Sequence, residues 1–160
     1  MTDFAGLLRV LHENEVEFIL IGGVAAAVHG AIRTTRDLDI VYARTPENFA
    51  RLVRALSPIN AYLRGAPPGL PFHWDVETIA HGLNFTLDTS LGEIDVLGEI
   101  VGGGCYDELK SHCLTVSAFD MECLCLDLDT LISVKRAAGR PKDFEAIAEL
   151  DALREEQGKQ

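Results

Sequence analysis

Apolar residues recur along the first part of the chain with two different periods, and each period predicts a kind of element. Residues 4–11 place leucines and a phenylalanine at helical spacing behind Thr2 and Asp3, either of which can cap a helix. The run 18–21 is apolar throughout. A helix that ends near Asn14 and a short buried strand are therefore expected.

A glycine pair, Gly22-Gly23, ends this strand and leads into a short apolar helix. Alternating polarity over residues 37–41 predicts a second strand. Pro46 then begins a helix that is expected to end near Leu56, because proline favours the first turn of a helix. After its first helix, the chain thus opens with a β-α-β-α arrangement.

The middle of the chain changes to short strands and turns. Residues 57–79 are rich in Pro and Gly and are predicted to form a long surface loop. Its aromatic end, residues 72–75, either packs on the core or offers a surface on which a base can stack. Short strands are predicted beyond it at residues 84–88, 93–97, 114–116 and 121–126, the first two of them as a hairpin.

Two helices are predicted at the C-terminal end. Asp127 or Asp129 can cap the first, and Pro141 begins the second. The second helix carries a predicted apolar stripe of Phe144, Ile147, Ala148, Leu150 and Leu153. The pattern as a whole predicts the α/β (α+β) class, with one domain over residues 1–156, a C-terminal helical pair and a polar tail at 157–160.

Acidic residues interrupt two of the predicted strands. Asp37 and Asp39 stand one residue apart, so their side chains point to one face, and Asp95 lies in a later strand in which Glu93 shares its face. An isolated Asp-x-Asp pair is more often a solvated strand face or a turn. Three converging carboxylates repel one another, and a hard divalent cation relieves that repulsion. The trio therefore predicts a site for Mg²⁺ or Mn²⁺.

The residues between the glycine pair and the acids favour phosphate as a ligand. Gly22 and Gly23 permit a tight turn and close approach of a ligand, and the first N–H groups of the following helix can hold a phosphate. Arg33 and Arg36 flank the acids, and a guanidinium matches phosphate oxygens. Phosphate chemistry at a metal site is the resulting hypothesis.

The order of these motifs resembles the nucleotidyltransferase fold of the DNA polymerase beta superfamily, over roughly residues 17–150. Within that superfamily, residues 33–39 and 135–143 resemble the AbiE-type toxin nucleotidyltransferases and their small relatives. The resemblance implies a mixed β-sheet flanked by helices. Gly23 departs from the Gly-Ser of many active members, which removes one hydroxyl contact to phosphate and leaves the backbone contacts.

The resemblance also implies a function: metal-dependent transfer of a nucleoside monophosphate from a nucleoside triphosphate to a hydroxyl of RNA, protein or a small molecule. Asp37, Asp39 and Asp95 would be the metal ligands and catalytic groups. Lys135 and Lys142 would contact the triphosphate, and Asp143 would orient one of them. The full set of nucleotide-binding candidates is Gly22, Gly23, Arg33, Thr35, Arg36, Lys135, Arg140, Lys142 and Asp143.

Other interpretations of the same residues remain open. Lys135 and Asp143 could serve only as helix-terminal charges, which complement the helix dipoles. The chain as a whole could be an inactive nucleotide-binding regulator or an interaction subunit whose acids are structural. The toxin form of the hypothesis implies an antitoxin as partner. Independently of it, 160 residues leave little room for an acceptor-binding domain, which a protein partner could supply.

Charge and composition narrow the partners. The formal net charge of −11 argues against a broad surface for duplex DNA, which would need many Lys and Arg contacts to phosphate. No apolar run approaches the roughly 18 residues of a membrane span, and the N-terminus lacks the pattern of a signal peptide, so a cytoplasmic protein without membrane contact is expected. Four cysteines without zinc-ribbon spacing favour reduced structural thiols over a second metal site.

Overall fold

The structure is a computed structural model that describes residues 1–159. Its helices are α1 (Phe4–Glu13), α2 (Gly22–Val28), α3 (Pro46–Leu56), α4 (Val76–His81), α5 (Tyr106–Leu109), α6 (Leu128–Ala138) and α7 (Phe144–Gly158). Its strands are β1 (Phe18–Ile21), β2 (Asp37–Tyr42), β3 (Tyr62–Leu63), β4 (Asn84–Thr89), β5 (Gly92–Leu97), β6 (Glu99–Ile100), β7 (Gly104–Cys105), β8 (Cys113–Ala118) and β9 (Met121–Leu126).

Seven of these strands form one mixed sheet in the order β3-β4-β5-β2-β1-β9-β8. The β2–β5 and β1–β9 pairs are parallel, and the other neighbours are antiparallel. β1 is buried along its whole length, as expected of a central strand that is covered on both faces. The predicted α/β class with a mixed sheet flanked by helices is confirmed.

Helices cover the sheet in two groups. α1 packs on α3, and α3 also packs on α4, while α2 lies against β1 and β2 and contacts α6, which pairs with α7. In β2, Leu38 lies between Asp37 and Asp39, and Ile40 follows them; both leucine and isoleucine are fully buried. The two acids therefore share the opposite face of the strand. None of the helices within residues 1–159 is long and apolar enough to cross a membrane.

Side-chain caps fix where the helices begin. The Asp3 carboxylate accepts a hydrogen bond of 2.9 Å from the Gly6 amide at the start of α1. Asp127 accepts one of 2.8 Å from the Thr130 amide at the start of α6. Of the alternatives that the sequence leaves open, Asp3 and Asp127 are therefore the caps, because each satisfies an amide that has no partner within its helix.

The segment between α3 and β4 differs from the predicted long loop. It contains a 3-10 turn, the strand β3 and the helix α4. β3 has only two residues and forms because it pairs with β4, so the spacing of apolar residues in the segment does not predict it. Trp74 is buried, its Nε1 donates to the Leu52 carbonyl at 3.1 Å, and its ring meets Phe85 edge-on. The core-packing alternative for residues 72–75 is confirmed.

The last helix also departs from prediction. Pro141 begins a 3-10 turn, and α7 begins only at Phe144. Phe144 is 63% exposed and Ala148 is exposed, so the predicted apolar stripe is wrong at both positions; Leu150 is its fully buried member. α7 continues to Gly158 and so includes the first residues of the predicted tail.

The four cysteines are free thiols. Burial raises the pKa of Cys113 to about 11 and the pKa of Cys125 to about 12. Both therefore stay protonated near neutral pH, in keeping with the predicted structural role.

Candidate active site

The register between β2 and β5 brings the acids together. These strands run parallel, with Asp39 level with Asp95 and Asp37 level with Glu93. Each of Asp37, Asp39 and Asp95 offers a carboxylate oxygen within 4.8 Å of those of the other two. Among the described residues, this is the one group of carboxylates, imidazoles or thiols that could hold a metal ion. The predicted convergence of the trio therefore holds in the structure.

Burial and mutual repulsion set the protonation of this carboxylate site. Burial, and then the charges of Asp37 and Asp95, raise the pKa of Asp39 from its ordinary 3.8 to about 9. The pKa of Asp95 is also raised, mainly by burial and by the charge of Asp37. One oxygen of Asp95, Oδ1, is buried without a hydrogen-bond partner. Hard oxygen donors that lack partners fit a divalent cation such as Mg²⁺ or Mn²⁺.

An arginine that the sequence pattern does not single out stands beside the acids. Arg64 follows β3, and its Nη2 lies 3.0 Å from Oδ1 of Asp95, although no N–H points at this oxygen with hydrogen-bond geometry. Its Nη1 is 3.7 Å from Asp37, and its Nε is 3.2 Å from Asp88. No sequence pattern points to Arg64, because residues 57–79 are predicted to form a loop.

The glycine pair approaches the acids closely. Gly22 has φ +67°, and a Cβ atom there would overlap the carboxylate of Asp39. A Cβ on Gly23 would lie 2.6 Å from both Cβ and Oγ1 of Thr35. A serine at position 23 would thus collide with Thr35, which gives a steric reason for glycine at this position.

Two clefts, of about 420 and 400 Å³, meet at the carboxylates. Both are lined by Gly22, Asp37, Asp39, Lys135, Arg140 and Lys142. The larger, the Asp95 cleft, adds Asp95 and an apolar wall that includes Leu131 and Val134 of α6. The smaller, the Gly23 cleft, adds Gly23, Arg33, Thr35, Arg36 and Asp143. The arrangement offers room for two reactants on either side of one group of acids.

The α6–α7 corner carries cations into both clefts. Gly139 caps α6 with φ +64°, and the chain turns so that Asp143 is buried between two cations. Nζ of Lys135 lies 4.0 Å from Oδ1 of Asp143, and Nε of Arg140 lies 2.9 Å from Oδ2. Lys142 lines both clefts and forms no ion pair within the part of the chain that the structure describes.

Comparison with solved structures identifies the architecture. The lincosamide antibiotic adenylyltransferase LnuA with bound lincomycin matches with a TM-score of 0.62 and 14% identity, over 95% of this chain and 98% of that chain. The chain has the nucleotidyltransferase fold. A Thermotoga maritima protein described as a candidate nucleotidyltransferase matches with a TM-score of 0.48 and 14% identity, over 96% of this chain and 91% of that chain. No protein-family model and no curated protein sequence matches the chain.

The two arginines before the acids have different surroundings in this nucleotidyltransferase fold. Arg33 forms ion pairs of 2.7 and 3.2 Å with Glu145 and Glu149 of α7. Arg36 is exposed at the Gly23 cleft and pairs with no acid of residues 1–159. Thr35 between them donates a hydrogen bond of 3.2 Å to the carbonyl of Asp37. Arg36 is therefore the freer of the two to meet a phosphate.

Proposed function

We propose that the protein is a metal-dependent nucleotidyltransferase, which moves a nucleoside monophosphate from a nucleoside triphosphate to a hydroxyl acceptor. The observation that carries the proposal is the convergence of Asp37, Asp39 and Asp95 at the point where two clefts meet. The likeness of the fold to an adenylyltransferase supports it. The raised pKa of Asp39 supports it too, because a structural role gives no reason to bring three partly buried acids together.

Each acid has a separate task in this proposal. Asp37 and Asp39 would hold Mg²⁺ or Mn²⁺ at the triphosphate, and Asp95 would help to hold a second ion and would accept the proton of the acceptor hydroxyl. Ions held there would supply charge stabilisation to the oxygens of an in-line displacement. The bond between the acceptor oxygen and the α-phosphorus forms as the bond to pyrophosphate breaks. Oδ1 of Asp95, which is buried and accepts no hydrogen bond, would be the oxygen that receives the proton.

The linings of the two clefts differ, and the proposal assigns one reactant to each. The Gly23 cleft places Arg36 beside the shared cations Lys135, Arg140 and Lys142, which suits a triphosphate and its leaving pyrophosphate. The glycine backbone allows the phosphates to come close to the acids. The Asp95 cleft has an apolar wall and suits the acceptor.

The sequence resemblance and the structural comparison bear differently on the acceptor and the partner. The resemblance to AbiE-type toxins leaves RNA, protein and a small molecule open as the acceptor and favours an antitoxin as a partner in the cytoplasm. The likeness to LnuA, a lincosamide antibiotic adenylyltransferase, favours a small molecule. A cleft of about 420 Å³ has the size of a small-molecule site, and it would equally admit one nucleotide or one side chain of a larger acceptor.

Thermal unfolding with each nucleoside triphosphate, with and without Mg²⁺, tests the proposal, since a ligand that binds the native state raises Tm. We expect a Mg²⁺-dependent rise that Asp37→Asn abolishes and that Asp120→Asn, in the exposed turn between β8 and β9, retains. Pyrophosphate release in the presence of candidate acceptors then measures turnover.

The same experiment separates the alternatives. A nucleotide-dependent rise without pyrophosphate release for any acceptor class would indicate an inactive nucleotide-binding regulator. A protein that shows no response to metal or nucleotide, in a fully folded state, would contradict the proposal and favour an interaction subunit with structural acids.

Asp143→Asn is expected to raise KM for the triphosphate about tenfold and to change kcat less, because Asp143 orients Lys135 and Arg140 rather than the reacting groups. Steady-state kinetics check this split. Asp151→Asn is the matched control, since Asp151 of α7 also pairs with two cations, Arg136 of α6 and Arg154 of α7, but lines neither cleft. An equal rise in KM in both variants would show a general loosening of α7 instead.

A further inference from the structure

We propose that Arg64 is a built-in counter-cation of the carboxylate site: it stabilises the metal-free protein and competes with the metal ion for the same oxygens. The inference rests on the metal site of the proposed function and adds to it a residue that limits metal affinity. It assigns a role to the segment between α3 and β4, which otherwise takes no part in the site.

The contacts of Arg64 coincide with the metal ligands. Its guanidinium nitrogens lie 3.0 Å from Asp95 and 3.7 Å from Asp37, and thus reach two members of the trio. On the other side, its Nε lies 3.2 Å from Asp88 and 3.9 Å from Glu93. A planar guanidinium with five donors can serve several carboxylates at once, which a lysine ammonium cannot do in the same geometry.

The backbone fixes this position. The Arg64 amide donates to the Thr86 carbonyl at 3.0 Å, which extends the β3–β4 pairing by one residue. Nη2 donates to the Leu87 carbonyl at 2.9 Å, and the side chain is only 22% exposed. Arg64 is therefore held against β4 and β5 by main-chain contacts as well as by charge, unlike a surface arginine that meets an acid by chance.

Arg64 is the main positive charge that acts on the carboxylates when no metal ion is bound. Among the described residues, it is the one cation within ion-pair distance of Asp37 or Asp95, while Lys135 and Arg140 are paired with Asp143. Without a metal ion, Arg64 relieves part of the repulsion among the acids. When a metal ion binds, two cations share the same oxygens and repel each other. Even at a dielectric constant close to that of water, this repulsion would lower the affinity for the metal ion about tenfold.

The test compares Mn²⁺ binding, measured by electron paramagnetic resonance without nucleotide, between the wild type and Arg64→Met. Methionine keeps much of the apolar stem and removes the charge. We expect Arg64→Met to bind Mn²⁺ at least about tenfold more tightly and to have a lower Tm than the wild type when metal-free. Saturating Mn²⁺ should reduce or reverse this difference in Tm, because the ion takes over the role of the guanidinium.

Two further variants serve as controls. Arg154→Met removes an arginine that also pairs with two acids, Asp129 and Asp151, but lies on α7, and its Mn²⁺ affinity should match that of the wild type. Arg64→Lys keeps the charge, and we expect its affinity to stay within about threefold of the wild type. If lysine tightens binding as much as methionine does, charge competition is overturned.

The remaining outcomes distinguish this inference from the function on which it rests. Equal Mn²⁺ affinity of wild type and Arg64→Met would overturn the role of Arg64 and leave the metal site in place. A weaker affinity in Arg64→Met would also overturn it, and would make Arg64 a support of the metal ligands. Absence of Mn²⁺ binding in the wild type and in every folded variant would overturn the inference together with the metal site.

Discussion

Asp39→Asn is expected to abolish nucleotidyl transfer, with a loss of about a thousandfold or more, and at the same time to stabilise the metal-free protein. In the proposed mechanism, activity falls because the neutral amide would hold a divalent cation poorly and would no longer join Asp37 as a ligand. Stability rises because the substitution removes a buried carboxylate that two neighbouring acids repel. The two effects have opposite signs, as expected of a residue retained for function at a cost in stability.

The gain in stability has a defined pH dependence. The pKa of Asp39 is raised in the folded protein to about 9, whereas the unfolded chain releases this proton near 3.8. The folded state thus binds more protons between these values, and the metal-free protein loses stability as the pH rises through this range. Asparagine carries no such proton, so the advantage of Asp39→Asn grows with pH over this range, by at most about 1.4 kcal/mol per pH unit.

Urea unfolding in the presence of a chelator, at pH 5 and at pH 8, measures this advantage. Asp120→Asn removes the same charge from an exposed turn and should change the unfolding free energy little at either pH. If Asp39→Asn were less stable than the wild type at pH 8, the acids would be stabilising one another through hydrogen bonds, and the electrostatic account of the site would be wrong.

Gly22→Ala should destabilise the protein by about 2–4 kcal/mol and remove activity. Two costs add at this position. Its φ of +67° is unfavourable for alanine by about 1–2 kcal/mol, and the new Cβ overlaps the carboxylate of Asp39, which must move. Equilibrium unfolding gives the total, and pyrophosphate release reports whether Asp39 is displaced.

Gly139→Ala serves as the control that carries the backbone cost of a positive φ without the crowding. Gly139 has nearly the same φ, +64°, but a Cβ there would meet only carbonyl oxygens at 4.0 Å. We expect it to cost about 1 kcal/mol, so the difference between the two variants measures the crowding against Asp39. Equal costs in the two variants would mean that Asp39 gives way without penalty.

Local sequence patterns predicted much of the fold. The period-two alternation around Asp37 and Asp95 predicted β2 and β5 with their acids on one face, because side-chain direction in a strand depends only on the residue's own position. Proline and capping residues likewise marked the starts of α3 and α6. The motifs that resemble the nucleotidyltransferases pointed to the architecture that the structural comparison supports.

Other features depend on residues that are distant in sequence. Strand β3 forms only because β4 offers it free backbone groups, so no pattern within residues 57–79 could reveal it. Phe144 fits a helical stripe by spacing, yet the neighbouring elements leave this position exposed. The α6–α7 corner joins Asp143 to Lys135 and Arg140 by a turn at Gly139 whose path the sequence does not specify.

The sequence by itself determined which residues form the strands that carry the acids, which of their faces the acids share, and where several helices begin, since these depend on side-chain period and on local hydrogen bonds. Only the tertiary structure decided the parallel register that sets Asp39 level with Asp95, and the strand pairing that brings Arg64 to them. The physical reason is that register and pairing depend on the packing of whole elements, and the charges of a site acquire their shifted pKa values only once that packing excludes water.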